Sequence, residues 1–247
     1  MNAPPVRWGP WASVAWMVAI VALLEVVDLV FLGVYIGTTM GHGSPGVAER
    51  KALEVVASGD FLSAATLIAN PICLLALLGI VKFKRGATYA DTFALSTPAT
   101  DVLVRWIVAV AIFGFASDAL TWMLGKPIVP EFMDNAWRTS SDRLTLSFTM
   151  VACAPVFEEA LFRGFLLSGL RPTRLGASGA VLLSSAAWAA IHLQYDFYGM
   201  STIFVLGLLL GWARVRTGSI AVPLAMHITT NAIALVETIY VTSGGSP

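Results

Sequence analysis

Apolar runs of about twenty residues recur along this chain, at roughly 12–37, 60–81, 102–124, 147–170, 179–194, 198–214 and 219–240. A bilayer core is about 30 Å thick and takes about 20 residues of α-helix to cross. Backbone amides cannot be left unpaired there, so only helices and closed barrels span it. The runs are continuous and do not alternate, which argues against a barrel. The chain is 57% hydrophobic and 12% charged, against about 25% charged in a soluble domain. The fold expected is all-α: a polytopic transmembrane helix bundle of about seven spans, forming a single transmembrane domain over 1–247. Formal net charge is zero, so charge points to no nucleic-acid partner, and membrane lipid is the expected surroundings. Cys73 and Cys153 fall inside predicted spans and form no CxxC, which implies neither a disulfide nor a metal site. The first run is too long for a cleavable signal and lacks a clear small-residue cleavage site.

Charge in the connections sets an orientation. Arg7 precedes the first span, Lys82, Lys84 and Arg85 follow the second, Arg171 and Arg174 the fourth, and Arg214 and Arg216 the sixth. These clusters alternate, so the positive-inside rule puts all of them on the cytoplasmic side. The N-terminus is then cytoplasmic, and the expected location is a bacterial inner membrane. Trp8, Trp11, Trp16, Trp122 and Trp137 fall near predicted interfaces, as an aromatic belt would.

The fourth run contradicts its own hydropathy. VACAPVFEEALFRGFLLSGL carries Glu158, Glu159 and Arg163 near its middle. A charge at mid-bilayer costs at least about 2.5–3.5 kcal/mol and is tolerated where it has partners or faces a wet cavity. Glu159 and Arg163 are four apart with the acid first, so they share a helix face and pair favourably. Glu158 points about 100° away from Glu159. One carboxylate is neutralised and the other stays free. Pro155 leaves the carbonyl of Val151 without its helical donor and kinks the helix there. The plain alternative is a structural ion pair between helices. Glu25 and Asp28, three apart in the first span, also need protons or a partner, for which Arg105 is a candidate. Asp118 and Glu237 lie nearer span ends and are expected to be solvated or capped.

Of the three histidines, His42 sits in a Gly-rich loop and is expected to be solvated. His192 ends SAAWAAIHL, one helical turn after Trp188. His227 opens HITTN, one turn before Asn231. A carboxylate in a partly desolvated cavity suits general-base work toward water near neutral pH. A histidine can hold the same water or share its proton. His227 and Asn231 can donate to an oxygen that turns negative as water adds to a carbonyl. That chemistry is peptide-bond hydrolysis without a covalent intermediate or a required cofactor. The same Glu and two His match a catalytic zinc set with water in the open position, although HExxH is absent. Spacing does not decide between the two.

At this point the residues resemble a known family. EEALFR at 158–163 matches the EExxxR motif of the CPBP (CAAX protease and bacteriocin-processing, or Abi) intramembrane proteases, which include the type II CAAX prenyl endopeptidases. Trp188 to His192 stands where that family has FxxxH, with Trp for Phe. His227 to Asn231 matches HxxxN. All three fall in order within about 147–240. The resemblance implies a helical bundle whose cavity opens toward the cytoplasm and laterally to lipid. It implies that Glu158 activates water with His192, and that His227 and Asn231 form the oxyanion site. Glu159 and Arg163 would be support, and Trp188 a wall beside His192. Peptides or membrane proteins are the substrates it implies; a prenyl pocket is not carried over. Two rival readings keep the bundle without the protease: a catalytically silent immunity factor or scaffold, and a proton-coupled transporter relaying through Glu25, Asp28, Glu158 and the histidines.

Overall fold

The computed structural model describes residues 8–39 and 45–244, and the regular structure among them is helical. In chain order the helices are α1 (Pro10–Thr39), α2 (Pro45–Val56), α3 (Gly59–Phe83), α4 (Tyr89–Phe93), α5 (Thr100–Met123) and α6 (Glu131–Thr139). Then come α7 (Arg143–Phe148), α8 (Ala154–Glu159) and α9 (Leu167–Leu170). Last are α10 (Gly176–Ala190), α11 (Phe197–Thr217) and α12 (Ala221–Thr242). Among the described residues, α1, α3, α5, α11 and α12 are long and apolar enough to cross a membrane. The protein is a polytopic helical membrane protein.

Two of the seven expected spans differ from simple helices. The fifth, α10, has 15 residues, about 22 Å at helical rise, and is too short for the roughly 30 Å core. It ends at Ala190, so His192 lies in the connection that follows and not in a span. The fourth is a continuous helical path from 143 to 170 with two π segments, Thr149–Cys153 and Ala160–Leu166. They bracket the six residues of α8, which carry Pro155, Glu158 and Glu159.

The first π segment changes which carbonyl Pro155 orphans. Ala154 N–H reaches back five residues to the Thr149 carbonyl. In that register the next donor would be residue 155 and its acceptor Met150. Proline has no N–H, so Met150 is the orphan, not Val151 as α-helical counting predicts. Asn231 from α12 supplies the missing donor, its Nδ2 lying 2.8 Å from the Met150 oxygen. A proline in the fourth span and an amide in the last are thus two halves of one join.

The second π segment is buried all round: Leu161, Phe162, Phe165 and Leu166 have almost no exposed surface. A helix apolar on every side belongs at the centre of a bundle. Around it α1 packs on α3, α5 on α12, and α10 along α11. Apolar residues on outer faces, such as Leu29 and Val30 of α1 and Ile112 and Phe115 of α5, stay exposed, which suits contact with lipid.

The connections hold structure that hydropathy missed. α2 and α6 are short helices in the two long, mixed-charge loops. α6 is tied to the start of α3, where Gly59 N–H donates to Thr139 Oγ1 at 2.9 Å and Ser141 N–H to Asp60 Oδ1 at 2.7 Å. Asp142 caps α7, accepting from the amides of Leu144 and Thr145. The Thr145 hydroxyl and these amides hold its carboxyl below the usual carboxylate range.

Two sequence expectations about charges are corrected. Arg105 pairs with Asp101 on its own helix, so it does not serve Glu25 or Asp28; Glu25 is exposed, and Asp28 Oδ1 is buried without a partner. Asp118 and Glu237 are not separately solvated: their carboxyl groups meet across α5 and α12. His42 lies outside the described residues.

Gly59 is a point where two backbones touch. A Cβ there would sit 2.0 Å from the Ala136 carbonyl oxygen. Gly59→Ala is expected to lower stability by about 1–3 kcal/mol, the usual cost of overpacking, read as a fall in thermal midpoint of the purified protein in detergent. An unchanged midpoint would mean that α3 and α6 are not packed this closely.

Candidate active site

Arg163 and Glu159 have no exposed surface. Arg163 Nη1 donates to Glu159 Oε1 at 3.0 Å, as the i,i+4 spacing predicts. The guanidinium also lies over the Trp188 ring, 4.2 Å from its centroid, and Nη2 is 3.4 Å from the Gly207 carbonyl oxygen. Gly207 allows this close approach, since a Cβ would crowd Ser185, Trp188 and Arg163 at 3.0–3.2 Å. The cation is enclosed by a carboxylate, a carbonyl and an aromatic face. All three favour positive charge.

Glu158 stands free of this pair. Its Oε2 accepts the Trp188 indole N–H at 2.6 Å. The same oxygen lies 4.0 Å from His192 Nε2 and 3.9 Å from His227 Nε2. Those distances are too long for direct hydrogen bonds and suit a bridging water. The side chains of Glu158 and His192 are each 15% exposed, so water reaches the gap, whereas that of His227 is 4% exposed.

Both imidazoles are held from behind. His192 Nδ1 is 2.8 Å from the Trp188 carbonyl oxygen. A carbonyl only accepts, so the proton sits on Nδ1 and Nε2 of neutral His192 carries a lone pair. His227 Nδ1 is 3.0 Å from Glu159 Oε1, already paired with Arg163, so it too donates through Nδ1. Both Nε2 atoms are thereby turned to Glu158. His227 can donate through Nε2 only as imidazolium.

The structure therefore brings Glu158, Glu159, Arg163, Trp188, His192 and His227 into one cluster. Asn231 follows His227 by one turn on α12, but its side chain donates to the Met150 carbonyl, through one of its two amide hydrogens. Trp188 is more than the wall expected from sequence, since it joins Arg163 to Glu158 and its ring meets both histidines edge-on at 5.1–5.2 Å. Tyr195, in the loop after His192, went unnoticed in the sequence. Its ring lies 6.1 Å from His192, and burial, reinforced by the Glu158 charge, pushes its phenol up to about 12. It remains a neutral O–H donor. Its position after a short helix, rather than in a motif, left no sequence signal.

Removing one member of a buried ion pair typically costs about 3–5 kcal/mol, because the other charge is left uncompensated. Arg163→Met is expected to lose that much stability. Adding Glu159→Gln should recover part of it, because the amide oxygen still accepts from His227. Thermal unfolding of the two variants tests this; a double variant no more stable than the single would show that Glu159 carries no buried charge.

Residues 140–233 match the family model described as type II CAAX prenyl endopeptidase Rce1-like. An uncharacterised 24.3 kDa protein of Escherichia coli is 31% identical over 144 residues, which cover 55% of this chain and 64% of that protein. The chain thus spans less than two thirds of the length of that relative. No solved structure matches the chain. The matched region begins just before the π-broken helix and ends just after Asn231, so the part of the chain that is similar to the Rce1-like CAAX endopeptidase family contains the whole cluster.

Proposed function

We propose that the protein is an intramembrane endopeptidase in which Glu158 activates a water for direct attack on a peptide carbonyl. The observation that carries this reading is the approach of one Glu158 oxygen to two Nε2 atoms at 3.9 and 4.0 Å, separations that one bridging water can span. Glu158 takes a proton from the water as its oxygen bonds to the carbonyl carbon. His192, with its lone pair on Nε2, aligns that water and shares the proton. The carbonyl oxygen gains the negative charge and is met by His227 as imidazolium and by the second amide hydrogen of Asn231. The C–N bond then breaks as the proton passes from Glu158 to the leaving nitrogen. Glu159, Arg163 and Trp188 hold these groups without touching substrate. The substrate class is a peptide or membrane-protein segment reaching the cavity from lipid, and the positive-inside rule orients the N-terminus to the cytoplasm.

Zinc is the alternative occupant of the gap. The donor types are suitable, and each histidine is braced through Nδ1 as a metal ligand would be. The spacing suits it less. Ligand atoms about 2.0–2.1 Å from a tetrahedral zinc lie roughly 3.4 Å apart, closer than the distances found here. The Trp188 N–H also already claims the nearest Glu158 oxygen. Among the described residues no group of three or more His, Cys, Asp or Glu is arranged to hold a metal ion.

Loss of a general base typically costs about 10²–10⁴ in rate. Glu158→Gln is expected to lose at least a hundredfold in cleavage of a peptide library while its thermal midpoint holds. Activity of the unaltered protein should survive a strong chelator. Full cleavage by Glu158→Gln would end the assignment of Glu158 as the base, absence of cleavage by the unaltered protein would favour the silent-bundle reading, and loss to chelator would point to metal.

A hydrogen bond to a charged group is worth about 1.5–3 kcal/mol. Trp188→Phe keeps the aromatic wall but removes the donor to Glu158. It should lower kcat by at least about tenfold with KM little changed. An unaltered kcat would make the indole N–H incidental.

A further inference from the structure

We infer that the strongly basic end of the bundle holds a binding pocket for a phosphate-type anion, separate from the Glu158 cluster. A cavity of about 230 Å³ opens there, space for several waters at roughly 30 Å³ each or for one phosphate group with part of its ester arm. Trp8, Asp91, Thr92, Ser168, Arg171 and Arg214 are among its lining residues. Ser168 lies ten residues beyond Glu158 on the same helical path, roughly 15 Å away at helical rise.

Arg214 is the key residue. It is 4% exposed, and its Nε is a buried donor without a partner. No ion pair or side-chain hydrogen bond joins its guanidinium to another described residue. The charge facing it is of the same sign, that of Arg171. Its place in the last turn of α11 suits the helix dipole but supplies no acceptor for Nε. A buried guanidinium is ordinarily paired or neutralised. Trp8 adds a donor and a neighbouring positive charge. Trp8 Nε1 is also buried and unpartnered, and Lys84 Nζ stands 5.0 Å over the Trp8 ring. The acid on the wall, Asp91, is exposed and takes its hydrogen bond from Thr88 at 2.7 Å, so it does not neutralise Arg214. Ser168 donates to the Thr92 carbonyl at 2.9 Å and braces the wall.

Two guanidinium groups and an indole N–H around one small cavity suit a tetrahedral oxyanion, which accepts from several directions at once. The ligand is a phosphate group, either the headgroup of an anionic lipid or a free cytoplasmic phosphate. Basic pockets between helix ends at the cytoplasmic face suit lipid headgroups, and Trp8 stands where an interfacial aromatic would.

The test is thermal unfolding of the full-length protein in phosphatidylcholine nanodiscs. One arm adds phosphatidylglycerol to the bilayer. The other adds inorganic phosphate at constant ionic strength. Saturation well above the dissociation constant should raise the midpoint by about 5 °C, and Arg214→Gln and Arg171→Gln should each lose most of that rise. Lys126→Gln, outside the pocket, should keep it. A rise with phosphatidylglycerol alone identifies a lipid site, and a rise in both arms a phosphate site open to either source. If Arg214→Gln fails to fold, the exposed Arg171 decides. No rise in either arm, or a rise that survives Arg171→Gln, overturns the proposal.

Discussion

One fully enclosed guanidinium organises the motif-bearing half of this molecule. Arg163 cannot keep its charge inside a bilayer without compensation, and Glu159 supplies it within one helical turn. The same cation lies on the face of Trp188, whose N–H holds Glu158. Glu159 in turn braces His227. A single cation therefore sets the place of both acids and of one imidazole. It also decides which acid is free: the one neutralised by Arg163 is spent on structure, and its neighbour faces the wet gap.

The backbone around these acids is as specialised as the side chains. π segments are rare and recur at functional sites; here two of them flank six residues that carry both carboxylates. The wide first turn and Pro155 together leave the Met150 carbonyl without a backbone donor. Asn231 fills that place from α12, fastening the last helix to the fourth one turn away from His227. An amide expected from sequence to serve an oxyanion is, in the structure, a tie between the two helices bearing Glu158 and His227.

Much of this was legible in the residues because each element obeys a local rule. Long apolar runs named α1, α3, α5, α11 and α12 through bilayer thickness alone. The i,i+4 spacing named the Glu159–Arg163 pair, and the three motifs named the cluster. What stayed hidden needed register or long-range contact. Hydropathy cannot distinguish a full span from the 15 residues of α10, so His192 read as intramembrane. Helical counting at 3.6 residues per turn misassigned the orphan at Pro155 because π turns leave no compositional mark. The meeting of Asp118 with Glu237 joins residues far apart in sequence, and only packing reveals it. Trp188 read as a wall because its hydrogen-bond partner lies thirty residues earlier on another helix.

The account stands on a water held between Glu158 and two imidazoles that are each braced through Nδ1. The most direct measurement is an experimental density map at water resolution, with anomalous data at the zinc edge. A peak within about 3 Å of Glu158 Oε2 and of at least one Nε2, without anomalous signal, is the result predicted. A direct Glu158–imidazole hydrogen bond that closes the gap, or an anomalous peak within it, would contradict the account.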